Sequence, residues 1–211
     1  MVAKYIEETP MEKFVGDEFV ILAYLAQGKS MADAKSMELV KKLFDSLEHL
    51  KDPVVFNAIV SLILIISCEL SGGTENYVMK ICATHPSARY IEETLVQLIN
   101  KPNVDLLPMY LQFAIDAFTV PEAREHFYYI NDINLLLETL IRDIDNTKTK
   151  ELRLQYLRLI KMITEYPEYL KFKHKWTETM IVLNEMGSNT DLDKDTTDAC
   201  NHLLSIMQSH S

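Results

Sequence analysis

Glycine is scarce in this sequence, with five in 211 residues. Gly28, Gly72, Gly73 and Gly187 fall where an apolar pattern breaks, which is the placement of helix stops and not of strand turns or phosphate-cradling loops. The Ser71-Gly72-Gly73-Thr74 segment also lacks the Gly-Lys-Ser/Thr ending of a phosphate loop, so it reads as a connection between helices. Cysteine is nearly as rare. Cys68, Cys82 and Cys200 are odd in number and widely spaced, which suits reduced thiols buried as small hydrophobes, and the cytoplasm is the expected compartment. The first nine residues have no long apolar core, so no signal peptide is expected there.

An excess of positive charge is absent too. The formal net charge is −10 and the acid surplus is spread over both halves of the chain, so no general basic field exists to attract phosphate backbones or anionic lipid. Nucleic acid is therefore not an expected partner. The longest apolar run, residues 54–68, contains Asn57, Ser61 and Ser67. At about fifteen residues it is short and polar for a bilayer span, and it reads as a central core helix with neighbours on several sides. Membrane insertion is not expected.

Catalytic and metal-binding signatures are also missing. Six histidines (His49, His85, His126, His174, His202 and His210) form no i, i+4 pair and have no cysteine or carboxylate at zinc-ligand spacing, so surface or helix-end positions are expected for them. Asp191, Asp193 and Asp195 imitate the first ligands of a calcium loop. The match ends at Thr196, where the sharp turn needs glycine, and at His202, where a closing glutamate belongs. A solvated loop leading into a helix is the better reading. No nucleophile motif is present. The expectation is a protein that is not an enzyme, with no cofactor, no metal and no catalytic residue.

What the sequence does have is helical periodicity from end to end, with breaks every fifteen to twenty residues. It predicts helices near 11–27, 31–50, 53–70, 74–83, 86–100, 104–118, 121–128, 132–145, 149–165, 167–186 and 194–208. Pro53, Pro86, Pro121 and Pro167 each suit a first helical turn, where the missing N–H is no loss. Thr74 and Asn131 suit N-caps, and Asp132 places negative charge where the helix dipole favours it. No alternating strand competes. The fold class is all-α, a single domain spanning 1–211 built as an armadillo- or HEAT-like stack of about ten or eleven short helices, with structural repeats too degenerate to show as sequence repeats. Most of the ten methionines occupy apolar helical positions, so core filling explains them better than a plastic binding surface.

Residues 85–183 are the most specific stretch. They read His85-Pro86, Glu92-Glu93-Thr94-Leu95, Leu98-Ile99-Asn100, Tyr110-Leu111-Gln112-Phe113 and Asp116-Ala117-Phe118. Then follow Glu125-His126-Phe127-Tyr128-Tyr129-Ile130-Asn131-Asp132-Ile133-Asn134-Leu135-Leu136, Ile141-Arg142-Asp143-Ile144, Leu152-Arg153, Tyr156-Leu157-Arg158-Leu159 and the Tyr166-Pro167-Glu168-Tyr169 turn. This segment resembles the leucine-rich, armadillo-type domain of the WISH/DIP family, the Nck-interacting type of regulator that in some members carries an SH3 domain. The Phe-Tyr-x-x-Asn-Asp stretch, followed ten residues on by an Ile-Arg pair, carries the resemblance best. The first 84 residues resemble the family only in being helical. The resemblance implies binding to the actin-related protein 2/3 (Arp2/3) complex, activation of it without a preformed mother filament, and seeding of linear actin filaments. ATP and actin would belong to the partner. The competing class is a generic armadillo-like adaptor that binds a peptide or helix of another cytoskeletal or signalling protein.

Read from the residues alone, Ile133, Leu136, Leu137, Leu140 and Ile141 share one arc of their helix, with Asn134, Leu135, Glu138 and Arg142 opposite and Arg142 within reach of Glu138. Phe127, Tyr128 and Tyr129 read as packing. Between residues 148 and 175 eight Lys or Arg stand against three acids, a reversal of sign in an acidic chain. Lys150, Arg158 and Lys161 fall on the polar arc of the 149–165 helix with Leu154 among them, and Leu152, Tyr156, Leu159 and Ile163 fall on the other. Lys150, Leu154, Arg158 and Lys161 are thus the candidate partner-binding residues, with Leu135 and Arg142 as the second choice; the alternative for the charge run is a solvated face.

Overall fold

The computed structural model describes residues 34–71, 76–102, 105–127 and 130–210. The helix expected near 11–27 and the Thr74 cap lie outside them. Among the described residues there are eleven α-helices and no strand: α1 (Ala34–Leu47), α2 (Pro53–Leu70), α3 (Tyr77–Cys82), α4 (Ala88–Asn100), α5 (Leu107–Thr119), α6 (Pro121–Phe127), α7 (Ile130–Asp143), α8 (Lys150–Thr164), α9 (Pro167–Leu170), α10 (Trp176–Ser188) and α11 (Lys194–Ser209), with a 3-10 turn at Ile144–Asn146. This is the all-α stack that periodicity predicts. The chain divides into two compact units, one of residues 1–98 and 112–127, the other of residues 99–111 and 128–211.

In the first unit α2 is the central element, and its start follows from two residues. Pro53 fixes φ at the first helical position, and the Asp52 carboxylate accepts hydrogen bonds from the Val54 and Val55 amides at 2.8 and 3.3 Å, satisfying donors that have no intrahelical acceptor. Ile59, Val60 and every residue from Leu62 to Ser67 are buried, against α1 and α3, which both pack on α2 or on each other. The first turn behaves differently: Val54 is 63% exposed. The burial expected for the whole run therefore holds for its last three turns only. At 18 residues and mean hydropathy 2.2, α2 is long and apolar enough to cross a membrane by length and composition, which corrects the expectation of a run too short for that. Within the fold 56% of it is buried, as befits a core helix.

Polar side chains close the far end of α2. Gln112 donates through Nε2 to Ser71 Oγ at 3.0 Å and to Asp116 Oδ1 at 2.7 Å, and Ser71 donates to Asp116 Oδ1 at 3.1 Å. Asn76 donates to the Ser67 carbonyl and hydroxyl at 3.1 and 3.0 Å while its own Oδ1 accepts from the Met79 amide at 3.4 Å. Asn76 is therefore the cap of α3 and also a tie back to α2. Pro121 and Pro167 open helices as predicted. Pro86 does not: it sits in a turn ahead of α4, where His85 Nδ1 accepts from the Ser87 amide at 3.2 Å.

In the second unit Ile133, Leu136, Leu137 and Leu140 of α7 are buried and Leu135 on the opposite arc is exposed, as the spacing predicts. Ile141 is only half-buried. Asn131 is not a cap, because α7 already begins at Ile130 and Asn131 lies exposed inside its first turn; Asp132 does stand in that turn. The last two helices form a hairpin that buries Leu183 and Met186 against Cys200, Leu203 and Met207. Gly187 is inside α10 and not beyond it, for a steric reason. A Cβ there would stand 2.5 Å from Asn201 Oδ1, and Asn201 donates to the Gly187 carbonyl at 3.3 Å. All three cysteines are free thiols. Cys82 and Cys200 are buried, and burial pushes the Cys200 thiol up to about 11, which keeps it protonated and inert.

The helix expected over 167–186 is two helices. Lys173 and Lys175 take left-handed backbone conformations, with φ of 48° and 55°, and break the helix between Leu170 and Trp176. No glycine or proline marks the place, so nothing in the local chemistry announces the break.

Candidate partner-binding surface

The candidate residues of the second unit lie on α7 and α8. Buried side chains of α8, namely Tyr156, Leu157, Leu159, Ile160, Ile163 and Thr164, cover a wider arc than the sequence suggests, because α7, α9 and α11 all pack on this helix. Gln155 also donates to the Pro108 carbonyl at 3.2 Å. What stays open is a narrow ridge. Glu151 and Arg158 are exposed at its crest, and Leu154, Lys161 and Met162 are half-buried along its flanks. Leu154, Arg158 and Lys161 thus share one open arc, one turn apart, and neither Arg158 nor Lys161 makes an ion pair among the described residues.

The other candidates are used differently. Lys150 reaches to the start of α11, where it pairs with Asp195 and lies 4.0 Å from Asp193; the hydrogen bond to Asp195 raises its already high pKa. Arg153 joins it, donating to the Thr147 carbonyl at 3.0 Å and meeting Asp193 at 3.4 Å. Asp193 also caps α11, accepting from the Thr196 amide at 3.0 Å and the Thr196 hydroxyl at 2.7 Å. The Thr196 hydroxyl does most to hold its carboxyl below the usual range; desolvation opposes it, and the Thr196 amide, Arg153 and Lys150 add to the lowering. The three aspartates read as a calcium-loop imitation therefore lead into a capped helix, and two of them hold it to α8. Lys150 belongs to this internal clamp and not to the open ridge.

Arg142 also departs from expectation. It makes a two-pronged pair with its neighbour Asp143, both contacts at 2.7 Å, and Glu138 is instead bonded to His174 Nε2 at 2.6 Å. Adjacent side chains on a helix rarely meet; here Asp143 is the last residue of α7, where the backbone tightens into the 3-10 turn that follows. Leu135 is 46% exposed on the same helix. The structure does not gather Leu135 and Arg142 with Arg158 and Lys161 on one helix face; the two groups belong to separate helices. Sequence reasoning missed the His174–Glu138 pair and the Lys150–Asp195 tie, which join residues 36 and 45 positions apart and leave no short-range signal.

Most residues that carry the family likeness are core. Leu95, Tyr110, Phe113, Ile133, Leu136, Tyr156, Leu159 and Tyr169 are all buried, whereas the side chains of Phe127, Tyr128 and Tyr129 lie outside the described residues. Glu92, an acid in the likeness, is buried as well, against the usual preference of a carboxylate for solvent.

Fold and surface together define a leucine-rich all-α domain with an open, charged ridge on one of its units. The model of the SPIN90/Ldb17 leucine-rich domain matches residues 24–179. The chain belongs to this family, the SPIN90/WISH/DIP family to which residues 85–183 point. The match starts 61 residues earlier than that stretch, so much of the first unit carries family sequence and not helicity alone.

Proposed function

We propose that this protein binds the actin-related protein 2/3 complex and favours its active arrangement without a preformed mother filament, so that linear actin filaments are seeded. The observation that carries the reading is the family match over residues 24–179. The protein acts as an armadillo-like binding scaffold in the cytoplasm, at the actin cytoskeleton, and not as an enzyme; ATP and actin are the partner's. Activation of this kind is a population shift. The scaffold must bind the active arrangement more tightly than the inactive one, with about 1.4 kcal/mol of differential affinity for each tenfold change.

The Arg158–Lys161 ridge with Leu154 is the proposed contact surface. Its cations make no ion pair among the described residues, and the complementary surface is an acidic one, which would speed encounter and select the partner. Assembly of pyrene-labelled actin with the purified complex and no other activator tests the function. The expected result is a shorter lag and unbranched filaments under the microscope. A lag unchanged at saturating concentrations of folded protein leaves the adaptor reading, in which a different peptide or helix is bound.

A further inference from the structure

The connection from α9 to α10 reads Lys171-Phe172-Lys173-His174-Lys175. Two of its residues, Lys173 and Lys175, hold left-handed conformations that residues with a Cβ adopt at a cost. The turn is firmly tied underneath. Tyr169 is buried, its carbonyl accepts from the Phe172 and Lys173 amides at 3.0 and 2.8 Å, and its hydroxyl donates to the His174 carbonyl. Trp176 stacks on the Tyr169 ring with centroids 6.2 Å apart.

The polar side chains of the turn are also held. Lys171 pairs with Glu168, His174 with Glu138 and Lys175 with Glu178. Lys173 lies 5.1 Å from the centre of the Trp176 ring and donates to the His210 carbonyl, so among the described residues its charge meets neutral groups. One side chain points away from all this. Phe172 is 68% exposed, the most exposed large apolar side chain among the described residues. Most of the ring lies outside the core, so packing within the fold accounts for only a part of it. Rigid aromatic groups of this kind lose little freedom on binding and dominate protein interfaces.

We propose that Phe172 is an aromatic anchor through which the protein docks on its partner, entering an apolar pocket whose rim presents a carboxylate to Lys173. This rests on the reading that the partner is the actin-related protein 2/3 complex. A lipid surface fits less well, because one ring and one uncompensated lysine on a chain of net charge −10 fall short of the two signals that stable membrane attachment takes.

Equilibrium binding of the fluorescently labelled full chain to the purified complex tests the anchor, with Phe172→Ala and Phe172→Leu beside the wild type. Phe172→Ala is expected to weaken binding by about tenfold or more and Phe172→Leu by less, both with wild-type circular dichroism and Tm. Binding of Phe172→Ala equal to the wild type overturns the anchor alone. A fall in Tm that accompanies the loss overturns it as well, since the ring would then be structural. Unchanged affinity for the complex, with lost sedimentation on phosphatidylserine vesicles, overturns it in favour of a lipid surface. No binding by the wild-type chain ends the partner reading and takes the anchor with it.

Discussion

The two units of the molecule are stabilised by different physics. In the first, α2 is apolar on nearly every side over its last three turns, and polar groups close it inside the unit: Ser71, Gln112 and Asp116 bond to one another, and Asn76 bonds to Ser67. In the second, amphipathic helices bury one arc and are then tied by polar and charged side chains at or near the surface: Lys150 and Arg153 to Asp193 and Asp195, His174 to Glu138, and Lys175 to Glu178. Burial of apolar surface is insensitive to salt and to carboxylate titration, whereas surface ion pairs respond to both. The difference teaches where function can sit. Beyond its first turn α2 leaves little apolar face to offer, while α7, α8 and the turn before α10 keep Leu135, Arg158 and Phe172 exposed and Lys161 half-exposed.

The contrast can be tested first where the effect is largest. Ile63 is fully buried at the centre of α2, and Ile63→Ala removes its contacts and leaves a cavity. Thermal unfolding should show a loss of about 2–5 kcal/mol, the same in 50 mM and 500 mM salt. A loss that salt changes strongly would break the comparison.

Asp193→Ala removes a helix cap and one end of the clamp to α8. Its expected effect is a fall in Tm of about 2–4 °C, smaller at high salt because the screened ion pairs are already weak. The pH dependence has a definite sign. The folded-state pKa of Asp193 lies below its unfolded value, so its contribution is present above the unfolded value and is lost as pH falls through the folded one, below about pH 4. Tm of the wild type measured from pH 6 down to pH 3 should therefore approach that of Asp193→Ala at the acid end. Parallel curves would show that the carboxylate is not what holds α11.

The smallest effect belongs to the close contact at Gly187. Gly187→Ala forces the Asn201 amide aside, but that side chain can move and alanine favours the helix, so stability should change by less than about 1 kcal/mol. Adding Asn201→Ala should make the double variant more stable than Gly187→Ala alone. A double variant less stable than either single one would mean that the Asn201 bond to the Gly187 carbonyl matters more than the space.

How much of this was legible in the sequence depends on the range of the interaction. The start of α2 could be read from Asp52 and Pro53, and the buried arc of α7 from Ile133, Leu136, Leu137 and Leu140, because caps and periodicity are local. Arg142 could not be assigned. Both Glu138 and Asp143 are within reach, and His174, from a distant turn, takes the first. The break at residues 171–175 was hidden for another reason: the fold holds two lysines in a conformation that local preference disfavours. At the candidate surface the eight cations counted between 148 and 175 overstate the field, since among the described residues Lys150, Arg153, Lys171 and Lys175 are paired and Arg158 and Lys161 are not.

If the open ridge of α8 is the contact surface, Arg158→Glu with Lys161→Glu should weaken binding to the purified actin-related protein 2/3 complex by about tenfold or more and flatten its dependence on salt, with Tm nearly unchanged because neither side chain holds the fold. Wild-type affinity and wild-type salt slope in the double variant would contradict this account and move the contact first to Leu135 and Arg142.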